Sequence, residues 1–132
     1  MWLSRYPRAV DVVFVAIGGA LGAVARFVVD RGVTNVAGAA GWGTLVVNLS
    51  GAFAAGLFVA LVAHRGIIPE PLRLPIGVGF LGAYTTFSTW MVEAVRTAET
   101  GDVPWAVANV AGSVLLGLVA VSAGLLVGRS VA

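Results

Sequence analysis

Between Gly82 and Trp90 the chain reads Gly-Ala-Tyr-Thr-Thr-Phe-Ser-Thr-Trp, a hydroxyl-rich run inside an otherwise apolar stretch. Its chemical groups are hydroxyls, backbone amides and backbone carbonyls, none of which ionises near neutral pH. Such groups bind ions by dipole. Gly77, Gly79 and Gly82 lead into the run, and glycine with serine and threonine makes a poor uninterrupted helix. Non-helical backbone in an apolar medium is tolerated only where it is buried in protein or lines a cavity. Two arrangements satisfy that rule. A break in the helix would expose carbonyls to a cation and amides to an anion. Alternatively the helix continues, with Ser and Thr bonding back to their own backbone. The residues alone leave both open.

Other polar groups fall inside apolar stretches. Arg26 lies roughly 6 Å inside the end of the first by helix rise. It either snorkels to the interface or draws anions toward a pore mouth. Asn48 sits in the second stretch, after Gly43-Thr44. Its amide either bonds a neighbouring helix or offers a donor to an anion. Asn109 and Ser113 are four apart in the last stretch and so share a face, with Ser122 further along. They either join helices or extend a polar track.

These residues have to be held by elements that suit a membrane. Of 132 residues, 59% are hydrophobic and 11% charged, and the mean hydropathy is +0.99. A soluble domain carries about 25% charged residues. Apolar stretches run over about 10–29, 42–63, 72–95 and 103–127. Each reaches the ~20 residues that a helix needs to cross ~30 Å of hydrocarbon. The breakers lie between them: Asp30-Arg31-Gly32, Arg65-Gly66 with Pro69 and Pro71, and Thr100-Gly101-Asp102 with Pro104. The expectation is an all-α membrane protein, residues 1–132 forming one four-helix domain. Arg5 and Arg8 ahead of an apolar stretch also fit a secretory leader, but the stretch is long enough to span and three more follow. Trp2, Tyr6, Trp42 and Trp105 fall near span ends, where amphipathic rings settle; Trp90 does not. Gly18 and Gly22, Ala52 and Gly56, and Gly124 and Gly128 are each four apart, a spacing that lets helices approach closely.

No enzyme chemistry is encoded. The six acids, Asp11, Asp30, Glu70, Glu93, Glu99 and Asp102, fall at span ends or in connections, and none pairs as an acid–base couple. There is no cysteine and only one histidine, His64, so a thiolate or histidine-rich metal site is excluded. A formal charge of +2 gives no footprint for nucleic acid. A proton-coupled transporter ordinarily places an acid near mid-membrane, so the pattern favours a passive pathway.

Three runs carry a family resemblance: Gly18-Gly19-Ala20-Leu21-Gly22-Ala23-Val24-Ala25-Arg26; Gly43-Thr44-Leu45-Val46-Val47-Asn48 with Gly51, Phe53 and Gly56; and Gly79-Phe80-Leu81-Gly82-Ala83-Tyr84-Thr85-Thr86-Phe87-Ser88-Thr89-Trp90. In order and spacing the chain resembles the Fluc (CrcB) fluoride channels. The resemblance implies a broken third helix and an antiparallel, dual-topology dimer with two pores along its interface. It implies a structural sodium ion between subunits, held by the backbone carbonyls of Gly82 and Thr85. Main-chain oxygens suit such a hard cation. It places Asn48, Phe87, Trp90 and Ser113 on the fluoride path, with Thr44 and Arg26. Where the family usually has a second phenylalanine, this chain has Trp90; Asn109 falls where some members have tyrosine. Localisation follows as multi-pass in the bacterial plasma membrane.

Charge placement bears on partners. With an even number of spans both termini share a side, which then carries Arg5, Arg8, Arg65, Arg73 and Arg129 against Arg31 and Arg96 opposite. Basic loops face the cytoplasm. Cytoplasmic termini, and a heterodimer with an oppositely oriented paralogue instead of a homodimer, are expected if that bias decides orientation. The rival functions are a non-conducting or single-pore partner subunit and a small four-helix multidrug transporter. The latter needs a membrane-embedded glutamate, which the first span lacks.

Overall fold

The computed structural model describes residues 8–63 and 67–131, so Trp2, Arg5, Tyr6, His64 and Arg65 lie outside the described residues. Those described form helices and turns, with no strand among them. Helix α1 (Ala9–Ala37) starts after Arg8, whose backbone N–H donates to Asp11 Oδ2 at 3.1 Å. It does not stop at Asp30-Arg31-Gly32, where the connection was expected. One glycine costs a helix only about 1 kcal/mol, and Arg31 packs its guanidinium over the Phe27 ring one turn back, at 5.5 Å. The stop comes at Gly38. It takes φ +70°, and its N–H caps the Thr34 carbonyl at 2.9 Å, a left-handed ending that favours glycine.

Helix α2 (Trp42–Ala63) follows a four-residue connection closed by Gly41, again at positive φ. The next apolar stretch is helical in consecutive segments, which together make α3: Glu70–Arg73, a wider π-helical run Leu74–Leu81, and a last α turn Gly82–Tyr84. Pro75 removes a donor inside this stretch, and Gly77 and Gly79 weaken its preference for the α form. The chain is non-helical from Thr85 to Phe87. It resumes as α4 (Ser88–Glu99), turns at Gly101, and ends in α5 (Val103–Val131), whose first turn is capped by Asp102 Oδ1 accepting from the Trp105 N–H at 3.2 Å.

Small residues set the packing. A side chain at Gly18 or Gly22 would meet the backbone carbonyls of Pro75 and Phe80, so α1 lies directly on α3. Gly56 and Gly124 place α2 and α5 in the same relation: the first meets the Val121 carbonyl, the second that of Phe53. Ala52, expected in this seam, instead lines an open groove described below. Trp42 and Trp105 stack at one end of the bundle, ring centroids 5.1 Å apart.

Three helices, α1, α2 and α5, are long and apolar enough to cross a membrane. Their outward faces carry Val13, Phe14, Leu21, Phe27, Leu115, Leu118 and Leu126, all exposed. That much contiguous apolar surface is unworkable in water and natural in lipid. The chain is an integral membrane protein. The stretch 72–95 is divided at Thr85–Phe87, and α4 carries Glu93, Arg96 and Glu99, so neither half reaches spanning length by itself.

Candidate functional site

Asn48 on α2 faces the interruption between α3 and α4. Its Nδ2 donates to the Thr86 carbonyl at 2.9 Å, and its Oδ1 accepts from the Thr86 N–H at 2.9 Å. Both main-chain groups of one buried, non-helical residue are thereby satisfied by one side chain. A primary amide is the side chain suited to this, since it presents a donor and an acceptor side by side. One N–H of the amide remains after these bonds.

The interruption frees carbonyls. In a continuous helix Gly82 O would accept from Thr86 N–H, and Thr85 O from Thr89 N–H. Here Thr86 N–H goes to Asn48, and Thr89 N–H goes to Thr86 Oγ1 at 3.3 Å. Thr85 N–H and Oγ1 both turn back to the Leu81 carbonyl at 3.1 Å. Gly82 is exposed and Thr85 half-buried.

These groups line an open groove of about 610 Å³ between α2, α3, α4 and α5. Asn48, Gly82, Thr85, Thr86, Phe87, Trp90 and Ser113 contribute to its wall, and no ionisable side chain does. Phe87 is 70% exposed, which for a large ring beside so many polar groups is a conspicuous placement. It meets Trp90 edge to face, centroids 5.9 Å apart at 78°. Ser113 Oγ is buried and, among the described residues, is a side-chain oxygen without a hydrogen-bond partner. The wall thus combines amide and hydroxyl donors with aromatic rings, whose edges carry partial positive charge. Such a surface can take the hydration shell of a small anion without offering an acid or base for catalysis. Among the described residues no cluster of three His, Cys, Asp or Glu forms.

The profile of the family described as CrcB-like protein, Camphor Resistance (CrcB), matches residues 13–125. This chain belongs to the CrcB family. Its curated relatives include proteins named fluoride-specific ion channel FluC. That of Magnetococcus marinus is 45% identical over 120 residues, covering 90% of this chain and 98% of the relative. That of Hahella chejuensis is 49% identical over 120 residues, covering 89% and 94%. That of Geobacter sulfurreducens is 41% identical over 119 residues, covering 89% and 96%.

Against this CrcB background the remaining site residues separate. Asn48, Gly82, Thr85, Phe87, Trp90 and Ser113 come together on the groove, whereas Thr44 and Arg26 are not among its lining residues. Thr44 is almost fully buried and donates to Glu93 Oε2 at 2.5 Å, near the end of the bundle where Asp30 and Thr34 pack on Gly43. Arg26 is half-buried on α1. Glu93 was not anticipated as a partner. Its spacing of three from Trp90 puts it next along α4, but nothing in the sequence tied it to a threonine 49 positions earlier. Asn109 is also off the groove, its Oδ1 accepting from Trp90 Nε1 at 2.8 Å.

Proposed function

We propose that this chain is a subunit of a passive fluoride channel that drains fluoride from the cytoplasm of a bacterium. The observation that carries the reading is the neutral, donor-lined groove at Asn48, Phe87 and Ser113 in a chain whose relatives are named for fluoride conduction. Hydrogen fluoride enters cells as a neutral acid and ionises inside, so a passive path for the anion relieves the load. The whole chain acts as one four-span domain in the plasma membrane, with 72–95 crossing as a fourth span in two halves. An antiparallel second subunit closes the groove into a pore. The Gly82 and Thr85 carbonyls, deprived of their helical donors, fit a sodium ion at that interface. When bound there, the cation would offset the charge of nearby anions. Replacing sodium by a bulky organic cation is expected to weaken the dimer in detergent; unchanged dimerisation counts against the site.

Reconstituted in fluoride-loaded liposomes, the protein is expected to release fluoride only when a potassium ionophore carries the compensating charge. Release without ionophore would indicate a coupled transporter. Phe87→Ile removes the ring edge from the groove and is expected to lower efflux at least about tenfold, the effect of about 1.4 kcal/mol in the path. Wild-type efflux in this variant would take Phe87 out of the pathway.

A second reading is a single-pore partner in a heterodimer with an oppositely oriented paralogue, with termini on the cytoplasmic side. It draws on the arginine bias and on Trp90, whose indole N–H is already committed to Asn109. Efflux from liposomes holding this chain alone supports the homodimer. Efflux that requires a co-expressed paralogue supports the heterodimer.

A further inference from the structure

A buried indole needs a partner for its N–H, and position 90 is buried, at 8% exposure. Asn109, at 7%, supplies the acceptor at 2.8 Å. The amide is itself held: its Nδ2 donates to the Gly41 carbonyl at 3.4 Å. Gly41 has φ +89°, and a Cβ there would come within 3.2 Å of that same Nδ2. The relay therefore runs from α4, through α5, to the connection between α1 and α2. It ends at a glycine whose missing side chain makes room for it.

The relay meets the groove at Trp90, itself part of the wall, and at the ring packed on it. Phe87 is largely exposed and meets Trp90 edge to face. The plane of the indole sets the orientation of that pair, and Asn109 sets the plane of the indole. Indole has a single donor, so a bond to Asn109 withholds it from anything in the groove.

We infer that Asn109 is a positioning residue, which clamps the Trp90 indole so that the ion path meets aromatic edges and not an N–H donor. The inference deepens the channel reading and rests on it for the words "ion path". The clamp itself rests on geometry alone. Trp90 and Asn109 are then a matched pair: tryptophan at 90 is tolerated because an amide stands at 109.

A double-substitution cycle tests the pairing, since coupled residues depart from additivity. Asn109→Leu keeps the branched shape and removes the acceptor. It is expected to cut efflux at least about tenfold in the Trp90 protein and under about threefold in the W90F background, where no N–H needs a partner. Equal loss in both backgrounds overturns the inference. A second readout does not depend on activity. The Trp90 Nε1–H resonance, assigned by its disappearance in W90F, is expected to exchange slowly with solvent and to ignore added fluoride. Asn109→Leu exposes it; Asn109→Asp, which keeps the acceptor oxygen, leaves it protected even if the leucine variant folds poorly. A wild-type resonance that moves with fluoride, or protection unchanged in Asn109→Leu, overturns the clamp. If wild-type protein shows no efflux while the N–H behaves as described, the channel reading falls and the clamp stands.

Discussion

Asn48→Leu is expected to abolish fluoride efflux and to lower stability together. The leucine fills the site of the amide but leaves the Thr86 N–H and carbonyl without their two bonds of 2.9 Å. Each buried, unsatisfied backbone group costs about 1–3 kcal/mol. Two of them disfavour the present conformation of the interruption by about 2–6 kcal/mol, or between about 30-fold and 10⁴-fold in population. The groove is open, so water recovers part of this, and the lower half of the range applies. Asn48→Asp separates the structural role from the electrostatic one. Its carboxylate still accepts from Thr86 N–H, but it sets a second oxygen against the Thr86 carbonyl and a negative charge on the wall. It is expected to fold better than the leucine variant and still to conduct poorly, because like charge repels the anion. Efflux and thermal unfolding in detergent, measured on both variants, give the comparison. Wild-type efflux in Asn48→Leu would remove Asn48 from the site.

Local features were legible in the sequence wherever the chemistry was carried by residues close together. The hydroxyl-rich run from Thr85 to Thr89 singles out the place, though its residues fit an interrupted and a continuous helix equally; in the structure Thr85–Phe87 are non-helical and α4 begins at Ser88. The glycines at 18, 22, 56 and 124 mark seams, since their spacing matches one face of a helix and their size allows contact. Pairing across the bundle was not legible. Asn48 reads as a polar residue in a span, but that both its bonds go to Thr86 depends on how α2 is rotated against α3. Thr44 with Glu93 and Trp90 with Asn109 depend in the same way on the register between helices. Helix ends were the other weak point. Asp30-Arg31-Gly32 has the composition of a turn, yet the helix runs through it, because the left-handed stop occurs at Gly38.

The seam between α2 and α5 carries the second large effect. At Gly56 an added methyl would meet the Val121 carbonyl oxygen, with Val121 C and Leu125 N each 3.0 Å away; at Gly124 it would meet the Phe53 carbonyl oxygen, with Leu57 N at 2.8 Å. These neighbours are backbone atoms of a packed helix. They cannot rotate aside as a long side chain can, so relief requires the two helices to separate. Overpacking costs about 1–3 kcal/mol where side chains adjust, and a backbone obstacle puts each of Gly56→Ala and Gly124→Ala at about 3 kcal/mol. The two costs are not independent. Once one methyl has forced the helices apart, the second enters a gap already open, so the double variant should lose clearly less than about 6 kcal/mol. Gly32→Ala is the control. Gly32 is exposed in the interior of α1, with nothing within 4 Å of an added Cβ, and alanine there should stabilise by up to about 1 kcal/mol. Reversible unfolding in mixed detergent micelles reads all four proteins on one scale. Strict additivity would mean that each clash is relieved locally without parting the helices; seam variants as stable as Gly32→Ala would mean that α2 and α5 do not touch at these glycines and that the groove they frame is wider than described.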